Sequence, residues 1–261
     1  MSMFAESSKK DRPVAFIPGK TKQDNKYINL DENGSKEVFT SKSKLHLMPT
    51  HGSSGRKCVY VAGASGSGKS YWTAQYIRDW IAFNNQKTNA SMCYIFSALS
   101  EDEVFDKIIA SHQDKVHRVK INQDLFNNPI DIGTEIEKGS LLVFDDIDTL
   151  PNKLRKGIYE LINQILQIGR HYDFSIVITS HLINGMDRNF NRIVMNECHY
   201  VVLFLQGLAR RHVTYWAETY AGIDKDDLKN MYKLASRATI FHKNYPQFYM
   251  TEHKLIPVHF E

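Results

Sequence analysis

Eight consecutive residues, Gly63, Ala64, Ser65, Gly66, Ser67, Gly68, Lys69 and Ser70, have the types and spacing to hold a triphosphate. Glycines at the first, fourth and sixth places let successive backbone N–H groups turn toward one anion with no Cβ in the way. Lys69 adds a point charge for the β and γ oxygens, and Ser70 offers a hydroxyl to a magnesium ion. Tyr71 completes the binding segment as it enters the following helix. Such a loop has to lie between a buried strand and a helix N-terminus, whose dipole favours negative charge. Both flanks fit: Cys58-Val59-Tyr60-Val61-Ala62 is an apolar run, and residues 71–83 repeat their apolar positions at helical spacing.

A second run, Leu141-Leu142-Val143-Phe144-Asp145-Asp146-Ile147-Asp148, sets four apolar residues before two adjacent carboxylates. A buried strand looks like this when its last residue must reach a metal ion. Asp145 is expected to hold magnesium, directly or through water, and Asp146 to polarise the attacking water. Asp148 reads as a helix cap ahead of Thr149-Leu150-Pro151. Together the runs predict an ATPase that binds ATP with Mg2+ and cleaves the β-γ phosphoanhydride bond. No guanine-reading Asn-Lys-x-Asp occurs, which argues against GTP.

The elements that must position these residues follow a regular alternation. Apolar, β-rich runs at 58–62, 92–96, 116–121, 141–145, 174–179 and 200–205 are separated by stretches of helical spacing, clearest at 70–83 and 152–168. That pattern predicts an α/β fold, a P-loop NTPase with a mostly parallel central sheet flanked by helices and its site at the carboxyl ends of the strands. The chain between Lys69 and Asp145 is long enough for two further strands, which fits the ATPases that insert a strand between the P-loop strand and the acidic one. Residues 1–55 read as a basic N-terminal arm with a small β hairpin, 56–205 as the ATPase core, and 206–261 as a C-terminal extension of two helices and a hairpin packed on the core. Residues 51–55, His51-Gly52-Ser53-Ser54-Gly55, read as a linker.

Charge is unevenly placed. Residues 1–57 hold eleven Lys and Arg against six Asp and Glu, and the remainder carries 22 against 23, so the N-terminal segment is +5 and the rest −1. The body is not a uniformly basic nucleic-acid surface; the arm could attract phosphate or an acidic partner, or be a solvated tail. Cys58, Cys93 and Cys198 are far apart in sequence and read as reduced core residues, and the eleven histidines lack the paired spacing of a metal site. No apolar run is long enough to span a bilayer, and the first ten residues lack the apolar stretch of a secretory signal.

Residues 169–181 read Gly169-Arg170-His171-Tyr172-Asp173-Phe174-Ser175-Ile176-Val177-Ile178-Thr179-Ser180-His181, followed by Arg192-Ile193-Val194-Met195-Asn196-Glu197 and Val201-Val202-Leu203-Phe204. With the P-loop and the Asp145-Asp146 pair, this order resembles the genome-packaging ATPases of large DNA viruses, the poxvirus-type branch of the FtsK–HerA (ASCE) superfamily. The similarity covers about residues 56–205, with 239–249 as weaker support. The resemblance implies a homo-oligomeric ring of about five or six subunits that translocates double-stranded DNA into a capsid. It implies capsid or membrane-associated vertex proteins as partners, and the cytoplasm or viral factory of an infected cell, or the virion, as its place. Arg170 matches the arginine before the fourth core strand, a finger for a neighbour's γ-phosphate; the other reading is that it caps the long helix. Ser180-His181 stands where the family has a sensor Gln, so His181 takes that expected role. Lys153, Arg155 and Lys156, with Arg188 and Arg192 in the loop before the last core strand, are the candidate DNA contacts; a solvated helix face is the other reading of the first three. Two further functions remain open at this point: a helicase or translocase unrelated to packaging, and a nucleotide-gated assembly protein.

Overall fold

In the computed structural model, described for residues 2–49, 56–84, 91–184 and 187–258, two sheets share one core. The expected linker at 51–55 lies outside the described residues. In chain order the elements are β1 (Phe4–Ser7), β2 (Pro13–Ile17), β3 (Lys26–Leu30), β4 (Phe39–Thr40), β5 (His46–Leu47), β6 (Cys58–Ala62), α1 (Lys69–Asn84), β7 (Cys93–Ser97), α2 (Glu103–Ser111), β8 (Val116–Lys120), α3 (Gln123–Asn127) and β9 (Leu141–Phe144). They continue with α4 (Asn152–Tyr172), β10 (Ser175–Ser180), α5 (Arg188–Glu197), β11 (Tyr200–Leu203), α6 (Arg210–Trp216), α7 (Lys225–Lys233), β12 (Thr239–His242), β13 (Phe248–Met250) and β14 (Lys254–Pro257).

The large sheet has the order β4-β14-β13-β12-β11-β6-β10-β9-β7-β8. Its pairings from β11 through to β8 are parallel, and those from β4 through to β11 are antiparallel. The inserted strand between the P-loop strand β6 and the acidic strand β9 is β10, which follows both in sequence; β7 and β8 lie outside them. The C-terminal strands therefore continue the central sheet, β12 pairing directly with β11.

Both faces of the parallel strands are covered, which is why they read as unbroken apolar runs. Along β6, Tyr60 and Ala62 face a core with Ile158 and Ile162 of α4 and Phe190 and Val194 of α5. Val59 and Val61 face the other way, onto Ala74, Ile77 and Trp80 of α1 and onto Phe4, Val14 and Ile28 of the small sheet. That small sheet, ordered β1-β3-β2-β5, thus packs in the same layer as α1. Between β5 and α1, His46 Nδ1 lies 2.8 Å from Asp79 Oδ2.

Two local expectations need correction. Arg188 and Arg192 lie on helix α5, because Asp187 accepts from the N–H groups of Asn189 and Phe190 and starts a helix there. Asp148 does not cap α4; its carboxylate accepts the His181 N–H at 3.0 and 3.1 Å. The three cysteines are free and buried, as expected; Cys58 and Cys198, distant in sequence, meet in the core with Sγ atoms 3.3 Å apart, and burial pushes the Cys198 thiol well above its usual pKa.

Candidate nucleotide site

The loop after β6 follows the geometry its glycines allow. Gly66 and Gly68 take φ of +72° and +111°, the left-handed region that side chains disfavour. Gly63 is needed for another reason: a Cβ there would lie 2.5 Å from Ser67 Oγ and 2.7 Å from Phe204 Cβ. Lys69 opens α1, is 5 % exposed, and donates to the Gly63 carbonyl at 2.9 Å. Its Nζ is also 3.5 Å from Asp146 Oδ1. Ser70 stands in the first turn of α1, and Tyr71 is 69 % exposed at its surface.

The carboxylates come from the end of β9. Asp145 is buried, and burial, reinforced by the charge of Asp146, pushes its carboxyl up to about 7. Asp146 has φ +44°, a conformation uncommon outside Gly, Asn and Asp, which swings its side chain off the strand axis toward Lys69. The residue that joins the two is Thr179 on the inserted strand β10. Its hydroxyl donates to Asp145 Oδ1 at 3.0 Å and accepts the Asp146 N–H at 2.7 Å. Sequence reasoning passed over Thr179 in favour of Ser180-His181; the available signal was a hydroxyl closing an apolar strand that had to lie beside β9.

His181 enters the same cluster. Nε2 lies 3.7 Å from Asp146 Oδ2, and Nδ1 lies 3.6 Å from Asp148 Oδ1. Asp146, Asp148 and His181 bring ligand-type atoms within 4.8 Å of one another. By type, the Ser70 hydroxyl and the Asp145 carboxylate are hard oxygen ligands of the kind magnesium takes, and the cost of ionising Asp145, set first by burial and then by the charge of Asp146, is one a divalent cation would relieve.

Arg170 is not part of this constellation. It lies in the last turn of α4, which runs back from the site, so it is about 27 Å along the helix from Asn152 at 1.5 Å per residue. Its Nη2 is 3.5 Å from Glu197 Oε2. The α4 carbonyls are met instead by backbone, since Asp173 in left-handed conformation and Phe174 both donate to the Gly169 carbonyl.

A P-loop between a buried strand and a helix, an acidic strand separated from it by one inserted strand, and a parallel sheet extended by antiparallel strands define a P-loop NTPase fold. The cytoplasmic domain of the type VII secretion ATPase EccC from Thermomonospora curvata shares this fold at a TM-score of 0.50 and 11% identity, over 88% of this chain and 30% of that one. The genome-packaging NTPase B204 of Sulfolobus turreted icosahedral virus 2 aligns at a TM-score of 0.48 and 13% identity, over 76% of this chain and 96% of that one. In sequence, the chain is 33% identical over 255 residues to protein V3 of Sputnik virophage, covering 97% of this chain and 98% of V3. The chain therefore belongs to the same family as protein V3 of Sputnik virophage. No family profile matches it.

Proposed function

We propose that this protein is an ATP-hydrolysing motor that translocates double-stranded DNA, working as a homo-oligomeric ring that fills a viral capsid. The observation that carries the reading is the junction at Thr179, which locks Asp145 and Asp146 to one hydroxyl, with Lys69 3.5 Å from Asp146. Lys69 would leave the Gly63 carbonyl for the β and γ oxygens as the loop N–H groups close on the β-phosphate. Ser70 and Asp145 would hold Mg2+, whose bound charge offsets that of the phosphates. Asp146 would accept the proton as water oxygen bonds to the γ-phosphorus. The bond from that phosphorus to the β–γ bridging oxygen breaks, and its electron pair leaves with ADP. His181, between Asp146 and Asp148, would orient that water or sense the γ-phosphate.

DNA contact has support at the same rim. Lys153 and Lys156 on the first two turns of α4, and Arg188 and Arg192 on α5, are exposed, and both helices begin at the end of the sheet that carries the P-loop. Arg155 is less available, since it donates to the Asp148 carbonyl at 3.3 Å and to Asn152. Kinship with a virophage protein and the motif order that resembles packaging ATPases support the capsid as destination; partners at the packaging vertex and a place in the cytoplasm, viral factory or virion belong to the same proposal. Among the described residues no helix is long and apolar enough to cross a membrane.

The test is ATPase rate with and without DNA. Stimulation by duplex DNA, abolished in Lys69→Ala, is the expected result. Stimulation by single strands alone would point to a helicase, and tight ATP binding with unstimulated turnover to a nucleotide-gated assembly protein.

A further inference from the structure

Beside the P-loop lies a cavity of about 330 Å³ that the phosphate chemistry above does not use. It opens at Gly68 and follows α1 past Tyr71, Trp72 and Tyr76, with its opposite wall built from Arg237 before β12 and from residues 44–47, which lead into and form β5 of the small sheet. We infer that this cavity receives the ribose and purine base of the nucleotide, with Arg237 as the clamp where the phosphates meet the ribose. The inference rests on the ATP-binding reading.

Three features carry it. The volume lies in the range of small-molecule sites, and the cavity begins where a triphosphate seated on the loop must emerge. Its α1 wall is aromatic: Trp72 stacks on Tyr76 with ring centroids 5.4 Å apart and planes inclined by 17°, and exposed Tyr71 stands beside them. Planar rings and a guanidinium are what a base and its phosphates favour. Arg237 is exposed yet fixed, its Nε donating to the Ser67 carbonyl at 3.0 Å. A Cβ built on Gly68 would meet Arg237 Nε at 3.3 Å and Cζ at 3.5 Å, so the guanidinium lies against the phosphate loop itself. Because residues 44–47 form one wall, and His46 is tied to Asp79 of α1, the N-terminal sheet is part of the nucleoside site.

The three tryptophans provide the readout, since Trp80 and Trp216 are buried in the core and Trp72 alone lines the cavity. ADP is expected to quench the protein's tryptophan fluorescence on binding. Inorganic tripolyphosphate, which carries no base, should leave it unchanged and bind at least about tenfold more weakly than ATP. Arg237→Ala should raise KM for ATP by about tenfold, more than it lowers kcat, as expected for one charge-assisted contact, and Arg237→Lys should recover part of the loss. Tripolyphosphate binding as tightly as ATP, or an Arg237→Ala KM within about twofold of wild type while Lys69→Ala abolishes binding, overturns the nucleoside site and leaves the P-loop reading intact. Wild-type turnover by Lys69→Ala overturns both.

Discussion

The two ends of the parallel sheet carry similar charges put to opposite uses. At the carboxyl ends of the strands, Lys69 and Asp145 are buried and Asp146 and His181 half-buried, with Asp145 pushed up to about 7 by burial and by its acidic neighbour. At the amino ends, Arg56 is 7 % exposed and satisfied: it donates to Glu197 at 2.9 Å and to the Ile165 carbonyl at 3.3 Å. His199 accepts the Cys58 N–H at 2.9 Å at the same end. A polar cluster whose members are all partnered holds the fold together, whereas one with unbalanced like charges is poised to take up a ligand.

Arg170 gives the largest expected effect and would break this division, because it belongs to the structural end yet matches a finger position. If it completes a neighbour's site in a ring, Arg170→Ala should bind ATP but lose about three to five orders of magnitude in rate. Mixing it with Asp146→Asn subunits should then restore some activity, where an intact Asp146 meets an intact Arg170. Near-normal turnover by assembled Arg170→Ala would remove the finger and leave Arg170 as a surface partner of Glu197.

The next effect is on acid stability. Burial lowers the pKa of His199 to about 4, and burial likewise lowers that of His242 to about 4. The unfolded chain takes up these protons near its ordinary value of about 6.5, before the folded protein does. Stability should therefore fall as pH drops from about 6.5 to 4, by on the order of 3 kcal/mol per histidine, and level off below. Denaturant melts across that range for wild type, His199→Gln and His242→Gln measure it; an equally steep loss in both variants would clear these residues of the effect. A smaller change is expected for Arg56→Ala, which leaves Glu197 without its closer partner and should cost about 2 kcal/mol. Its ATPase activity per folded molecule should be unchanged.

How much of this was legible in the sequence depended on whether a role was local. The P-loop and the acidic strand announce themselves because the residues proposed for the chemistry are consecutive, and β6 has the bounds its apolar run predicts. Helix α5 has the helical spacing of Phe190 and Val194 and the cap Asp187, but it is short and rich in Asn and Arg, and that composition read as a loop. The meeting of Cys58 with Cys198, the packing of the small sheet over α1, and the tie between Asp148 and His181 are set by topology. Strand order decides them, and no short pattern of residues records it.

Thr179 offers the mildest and sharpest comparison, because it sits fully buried at the chemical end and could serve fold or catalysis. Thr179→Val keeps the shape and deletes the hydroxyl, so Asp145 loses a donor and the Asp146 N–H loses its acceptor. Stability should fall by about 1 to 2 kcal/mol, the usual consequence of buried polar groups left unpaired. The catalytic consequence differs in kind. Asp146 holds its left-handed backbone against that hydroxyl, and if its carboxylate polarises the attacking water, as proposed, displacing it by a fraction of an ångström is expected to slow turnover by about tenfold. Thr179→Ser restores the hydroxyl and should recover rate more fully than stability, since it gives up a packed methyl group. Rates of Thr179→Val and wild type that agree at a temperature where both are folded would assign Thr179 to the core alone, and the junction between the two carboxylates would then be structural.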